Sequence, residues 1–262
     1  MYRKLISFLT ISLTICKLVD AQQPLSKSEI IPKLDSIQVL SDLLYNRLNF
    51  KIECDKKLAI SFKNYKTPNQ YLVYEFNDTL RYIQMGKNRV EFEVKTSLKD
   101  SSTSEMINKS RKPLPLEDSL FQLKYLLIDT SLFNDHATSS AFVYEQFLVP
   151  NQAGFNLYLL SMTNENNLFP LHTSYTYKIN RALDYYSIDT LQHKISSMPI
   201  SIKTEQIFLV YQDNQDFISE IDICKFKFYG KMYKIDELTI FSSKNKRMFF
   251  YNRVTNSITI SP

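Results

Sequence analysis

Residues able to perform acid–base chemistry are few in this chain and lie far apart. Its three histidines are His136, His172 and His193, and no two of them have the spacing of three or four residues expected for a local zinc site. His136 lies near Ser139 and Ser140, but a catalytic triad is assembled in space and not along the sequence. We therefore predict no metal and no cofactor, and we retain His136 and His172 as candidates for a catalytic group.

A second group of candidates is acidic. Asp213, Asp216, Glu220 and Asp222 lie close together in the sequence. They lack the alternate spacing and the bend glycine of a helix–loop–helix calcium site. The stretch is typical of a solvated turn between two strands. The alternative is that these four residues supply a carboxylate pair of the kind that hydrolyses glycosidic bonds, and Asp213 and Asp216 are retained as candidate catalytic residues.

A segment near the C-terminus interleaves basic and aromatic residues. Its members are Lys225, Lys227, Tyr229, Lys231 and Tyr233. An exposed surface of this composition could bind a polyanion or stack on sugar rings. The same alternation is also typical of a strand with one wet and one dry face, where lysines oppose unwanted pairing at a sheet edge. We favour the structural interpretation and keep the five residues as a possible binding surface.

The first residues resemble a targeting segment. Arg3 and Lys4 precede an apolar run, and Val19-Asp-Ala21 places small residues before a cleavage point, so residues 1–21 are predicted to be a secretory signal peptide. An uncleaved anchor and lipidation at Cys16 are the alternatives. The apolar run is short for a bilayer span, and we expect no transmembrane span after cleavage.

Cleavage would leave two cysteines in an oxidising compartment. Cys54 and Cys224 could then form one disulfide bridge, or they could stay as two separate buried thiols. The sequence alone leaves both possibilities open.

Glycine content and charge exclude several classes of function. The only glycines are Gly86, Gly154 and Gly230, whereas phosphate loops and dinucleotide-binding folds need clustered glycines. Loss of residues 1–21 removes three basic residues and one acidic residue, and lowers the formal charge from +5 to +3. A charge this mild predicts no nucleic-acid partner.

Hydrophobic periodicity predicts an α+β fold. In the first unit, 22–96, apolar residues recur at helical spacing from Pro32 to Leu48 and strand-like segments follow. We expect the helix to lie on an antiparallel meander of these strands. The segments are Lys57–Lys63, Tyr71–Phe76, Leu80–Ile83 and Arg89–Lys95.

A polar segment, 97–115, is predicted to be a linker or a long loop. The second unit, 116–262, is predicted to be β-rich and mostly antiparallel with one or two helices, the first of them from Leu116 to Leu127. Its last part is predicted to be a meander in which Ile221–Phe228 forms a strand with a β-bulge. The alternative is a single domain over 22–262.

These patterns favour an exported, non-catalytic protein, either secreted or held in the periplasm or cell envelope. We expect it to bind another protein or a surface component through a sheet face, because no catalytic spacing is present and the fold class alone does not decide function. The alternative is a secreted hydrolase whose site is assembled from residues that are distant in the sequence.

Overall fold

Fourteen strands and three helices make up the described part of the fold. A computed structural model describes residues 26–61, 71–86, 88–98, 104–107, 110–129, 142–163, 165–171, 174–182, 185–191, 197–201, 203–211 and 216–261. The helices are α1 (Lys27–Ser61), α2 (Pro115–Asp129) and α3 (Glu220–Tyr233). The strands are β1 (Tyr71–Phe76), β2 (Thr79–Met85), β3 (Val90–Ser97), β4 (Ser104–Ile107), β5 (Phe142–Asn151), β6 (Gly154–Thr163), β7 (Leu168–Pro170), β8 (Ser174–Asn180), β9 (Tyr185–Leu191), β10 (Ser197–Pro199), β11 (Gln206–Tyr211), β12 (Glu237–Ser242), β13 (Arg247–Asn252) and β14 (Ser257–Ile260).

Helix α1 begins earlier and ends later than its apolar pattern predicts. It starts at a capping box, in which the amide and the hydroxyl of Ser26 both donate to the Glu29 carboxylate, at 2.9 and 2.7 Å. Residues 57–61, predicted to open a strand, form its last turn. Cys54 and Leu58 are both buried and continue the helical spacing, so the short alternation here was a misleading signal.

Strands β1 to β4 form the antiparallel meander predicted for the first unit. Helix α1 lies against it, and the Tyr82 hydroxyl donates to Asp55 at 2.9 Å. Strand β4 falls inside 97–115 and pairs with β3, while Arg111 and Val90 exchange two backbone hydrogen bonds. The described part of this segment therefore belongs to the first sheet. The division of the chain into two units stays a prediction.

The second sheet, ordered β5-β6-β8-β9, is buried on both faces where β5 and β6 cross the core. Alternate residues of β6 enter two different apolar clusters. Tyr158 packs in the cluster that contains Leu44 of α1, whereas Leu157 packs in the cluster that contains Leu120 of α2. Strands β7 and β10 form a separate two-stranded sheet. Both clusters include residues from either side of 97–115.

Helix α3 stands where a strand was predicted over Ile221–Phe228. Ser219 caps its N-terminus, and its hydroxyl accepts from the Ile221 amide at 3.0 Å. Every residue from 221 to 227 is buried, so apolar side chains occur all round the helix and its sequence shows no single stripe. The predicted strand and its β-bulge were therefore wrong.

The fourth sheet is built around α3, which connects β11 to β12. These two strands pair in parallel, whereas β12, β13 and β14 pair antiparallel through two hairpins. The C-terminal region is thus a β–α–β unit with two added strands, and not the simple meander that was predicted. The broader prediction, an α+β fold with an N-terminal helix on an antiparallel meander followed by a β-rich unit, is confirmed.

A buried ion-pair network joins α2 to the first sheet. Glu117 is fully buried, and the Arg111 guanidinium donates to both of its carboxylate oxygens at 2.6 Å. The Tyr74 hydroxyl and the Leu114 amide also donate to it, at 2.5 and 2.7 Å. Burial raises the pKa of Glu117, but these hydrogen bonds outweigh burial and lower it. Arg111 also donates at 3.0 Å to Glu93 of β3, which is buried.

Replacement of Arg111 by methionine should therefore destabilise the fold. We expect Arg111→Met to lower the free energy of unfolding by about 3 kcal/mol, because it leaves the buried Glu117 carboxylate without its cation. Glu93 keeps Arg81 and Lys95 as partners. Urea unfolding at pH 7 measures the loss. The loss should shrink as pH falls below about 4, since the folded-state pKa of Glu117 is depressed and its contribution disappears on protonation.

Lys112 is the matched control, because it is exposed and adjacent to Arg111. Lys112→Met should change the free energy of unfolding by less than about 0.5 kcal/mol. Equal effects of the two substitutions would show that the network does not hold α2 against the sheet.

Candidate functional site

The structure describes one of the four candidate catalytic residues. His136, His172 and Asp213 lie outside the described residues, as does His193. Asp216 lies just before α3, and its carboxylate is 2.7 Å from Nζ of Lys244. Among the catalytic candidates, the structure therefore describes only part of the acidic stretch, which lies before and at the start of α3.

The predicted basic and aromatic binding surface is mostly interior. Lys225, Lys227 and Tyr229 are 0%, 5% and 1% exposed, so they cannot contact a polyanion or a sugar. These three residues therefore do not contribute to the possible binding surface, because the segment is a helix, on which alternate residues do not share one wet face. Lys231 is exposed and Tyr233 is half-buried, both in the last turn of α3.

Lys225 is held among hydroxyl groups in the core. Its Nζ lies 3.1 Å from the Ser161 hydroxyl, which is 3.3 Å from that of Ser174. Burial lowers the pKa of Lys225 to about 8, although the Asp222 carboxylate opposes this. A lysine beside a serine can form a nucleophilic pair. All three side chains are fully buried, so no substrate reaches them, and we interpret the group as structural.

Lys227 joins α3 to α1 and to the last hairpin. Its ammonium pairs with Asp42 and lies 5.6 Å from the ring centroid of Tyr251. The Asn256 amide donates to both carboxylate oxygens of Asp42 at 3.3 Å, and Gln38 donates to Asn256 at 2.6 Å. The positive charge of Lys227 is thus paired within the fold and is not available to a ligand.

The two tyrosines of the predicted surface are also internal connectors. The Tyr229 hydroxyl donates to the Thr163 carbonyl at 3.0 Å and accepts from its amide at 2.9 Å. The Tyr233 hydroxyl accepts from the Asn167 amide at 2.9 Å. Both contacts fasten α3 to the end of β6 and the turn that follows.

Cys54 and Cys224 are separate buried thiols. The bridge that we considered is not formed, and the alternative of two unlinked cysteines describes the structure. Burial raises the pKa of the Cys224 thiol to about 12 and also raises that of Cys54. Thiols with raised pKa are poor nucleophiles, so these cysteines are inert packing groups.

A cleft of about 670 Å³ opens at the N-terminus of α3, and we call it the α3 cleft. Side chains of α1, β6, β8 and β9 surround it, together with the segment 216–219. It combines apolar walls with a small set of polar groups, which is typical of small-molecule sites. The polar groups include Tyr158, Thr176, Lys178, Asp189, Asp216 and Glu220.

Glu220, the first residue of α3, is the chemically distinctive group of this cleft. Burial raises its pKa, hydrogen bonds from its own backbone and Tyr158 oppose the rise, and the Asp222 and Asp189 carboxylates add to it. A carboxyl group that keeps its proton to higher pH than usual can act as a general acid. Asp189 is exposed nearby, 2.8 Å from Nζ of Lys178.

A second candidate surface is the side of the fourth sheet that faces away from α3. Strand register places Val210, Phe241 and Met248 in one row across the sheet. Phe208 and Phe250 flank Thr239 in the adjacent row. We call the five apolar residues the outer face: Phe208, Val210, Phe241, Met248 and Phe250. Phe208, Val210 and Met248 are 52%, 48% and 36% exposed.

No family model, curated protein or solved structure matches this chain. The chemistry of the α3 cleft and of the outer face is therefore the basis for a proposal of function. In the described part of the chain, no group of three or more His, Cys, Asp or Glu side chains is arranged to hold a metal ion. None of the helices there is long and apolar enough to cross a membrane.

Sequence reasoning named part of the α3 cleft and missed the rest. Asp216 and Glu220 belong to the acidic stretch identified from the sequence. Tyr158 and Asp189 come from β6 and β9, and only the fold of the second sheet brings them to α3. The outer face had a local signal, since Phe208 and Val210 alternate with the buried Ile207 and Leu209.

Burial of Lys225 should make the free energy of unfolding depend on pH between about 8 and 10. Its folded-state pKa of about 8 lies below the unfolded value, so burying its charge costs stability at neutral pH. This cost fades as pH rises from 8 toward about 10.4. The free energy of unfolding of Lys225→Met, minus that of the native protein, should therefore be about 2 kcal/mol larger at pH 7 than at pH 10.

Chemical unfolding of both proteins across this pH range measures the difference. Lys231→Met is the matched control, because Lys231 is an exposed lysine of the same helix. Its stability difference from the native protein should not change with pH. Parallel stability curves for native protein and Lys225→Met would mean that Lys225 is not desolvated in solution.

Proposed function

We propose that this chain is an exported, non-catalytic binding protein that holds another protein against its outer face. Export is supported by residues 1–21, in which basic residues come first, an apolar run follows and small residues come last. The observation that carries the proposal is the outer face itself, where five apolar residues lie in adjacent rows on an open sheet. Contiguous exposed apolar surface is characteristic of interaction sites.

The chemistry of the outer face indicates the kind of partner. Three phenylalanines, a valine and a methionine form it, and no charged residue lies among them in these rows. Aromatic residues and methionine are enriched in the buried centres of protein interfaces, and charged residues are depleted there. The partner is therefore a protein with a flat apolar patch, and not a polyanion.

A lysine on the outer face should weaken this binding. A photo-reactive phenylalanine analogue at position 210 or 248 of the exported protein should form the same protein adduct. Met248→Lys should then weaken binding of that purified partner at least tenfold, because it buries an unpaired charge. Surface plasmon resonance measures the affinity.

Val254 provides the control, because it is an apolar residue, 70% exposed, in the turn between β13 and β14 and outside the outer face. The analogue at 254 should not form the adduct, and Val254→Lys should bind normally. The same adduct from position 254, or unchanged affinity of Met248→Lys, would count against the outer face as the binding site.

Hydrolysis in the α3 cleft is a second candidate function, favoured by the raised pKa of Glu220 beside Asp189. A glycoside would fit this chemistry. Glu220 would protonate the leaving oxygen as the carbon–oxygen bond breaks, while Asp189 takes a proton from the water whose oxygen bonds to the sugar carbon. The proposed acid must be protonated, so the rate should fall as pH rises through the pKa of Glu220.

A panel of aryl glycosides tests this second candidate. Any hydrolysis by the native protein should drop at least 100-fold in Glu220→Gln and in Asp189→Asn. Glu237→Gln, which alters an exposed carboxylate outside the α3 cleft, should keep full activity. A native protein that cleaves none of the panel, or an active Glu220→Gln variant, would eliminate glycoside hydrolysis here.

A further inference from the structure

Strand β11 is an edge strand without the usual protection. In the described part of the chain it pairs with β12 on one side only. Its sequence, Gln206–Tyr211, contains no charged residue, no proline and no glycine, and its pairing with β12 runs without a register shift. Edge strands usually carry charges, prolines or bulges that prevent them from pairing with another chain. An edge of this kind is suited to strand addition.

Within the described residues, the other edges of the three four-stranded sheets are charged, short or covered. Strand β4 carries the exposed Glu105, and β9 carries the exposed Asp189. Strand β14 has only four residues. Strands β1 and β5 lie against each other, where the Tyr71 hydroxyl contacts Glu145. The exposed β11 edge is therefore exceptional among these edges.

The charges near the two ends of β11 are balanced. Exposed Glu205 and Glu237 lie at the N-terminal end together with exposed Lys203 and Lys234. Beside the C-terminal end, Lys244 pairs with Asp216, and Ser243 donates to the Tyr211 carbonyl at 3.2 Å. Neither end therefore carries an excess of one charge that would repel a copy of the same strand.

The pleat of the strand then restricts the register. Phe208 and Val210 point to the outer face, whereas Ile207 and Leu209 point to the core. Residues directly opposite each other in antiparallel strands share a face. With Leu209 opposite Leu209 of a second copy, Phe208 lies opposite Val210 of that copy. Aromatic and β-branched residues make favourable cross-strand pairs, and the two outer faces become continuous.

We propose that two copies of this chain pair antiparallel along β11 and form one eight-stranded sheet. The pairing is isologous, because the same strand is used twice about a two-fold axis perpendicular to the sheet. This inference goes beyond the proposed function, since it concerns the edge of the fourth sheet and not the outer face. It would give the assembly one outer face twice as wide, able to hold two partners or a larger one.

Sedimentation equilibrium of residues 22–262 tests the pairing. The mass should rise to that of a dimer with concentration and go no further. Phe208→Lys should weaken dimerisation at least 100-fold, because it places two like charges close to the two-fold axis. Met248→Lys makes the same change on the outer face but away from the edge, and should leave the dimer intact. Circular dichroism and urea unfolding check that both variants are folded.

A spin label gives a readout that does not depend on the lysine variants. Labelled Val210→Cys should show strong dipolar broadening between copies, because paired strands lie about 5 Å apart. Labelled Val254→Cys should show none. A monomer at every concentration, growth beyond a dimer, or equal effects of Phe208→Lys and Met248→Lys would overturn edge pairing. None of these results would change the adduct expected at position 248, so the two proposals can fail separately.

Discussion

The fold depends on the polar partners that meet the charged side chains buried in α3. This helix buries Asp222, Lys225 and Lys227 in one stretch, and each of these charges must find a partner because burying it alone would cost several kcal/mol. Each partner comes from a different element. Asp222 accepts from Tyr211 of β11, Lys225 donates to Ser161 of β6, and Lys227 pairs with Asp42 of α1. The polar residues therefore orient the helix, whereas its apolar residues, present on every side, would fit several orientations.

The sequence indicated elements that are buried on one face or are short and β-rich, and it failed for the helix that is buried on all sides. Strand β11 has one dry and one wet face, and its bounds, Gln206–Tyr211, agree with the pattern. Strand β1 was found because it is short, β-rich and bounded by turns. Helix α3 was missed because burial on all sides removes the period that identifies a helix, and its alternating Lys and Phe imitate a strand.

The outer face could be predicted in part from the sequence, whereas the acid–base character of the α3 cleft could not. The outer face is local to neighbouring strands, so the alternation of Phe208 and Val210 with buried residues contains two of its five residues. The α3 cleft is not local. Glu220 gains its raised pKa from burial beside Tyr158 and Asp189, which meet it only after the second sheet has formed. Acid–base character set by desolvation cannot be read from residue type alone.

The contacts of α1 also determine when the chain can fold. Gln38 donates to Asn256, a partner 218 residues further along the chain, and Asp42 binds Lys227. Synthesis proceeds from the N-terminus, so α1 emerges well before these partners. Pairing of such distant segments is slow because a long loop must close first. The contacts of α1 with α3 and with the turn between β13 and β14 therefore form only after those later segments have been synthesised, and α1 lacks them until then.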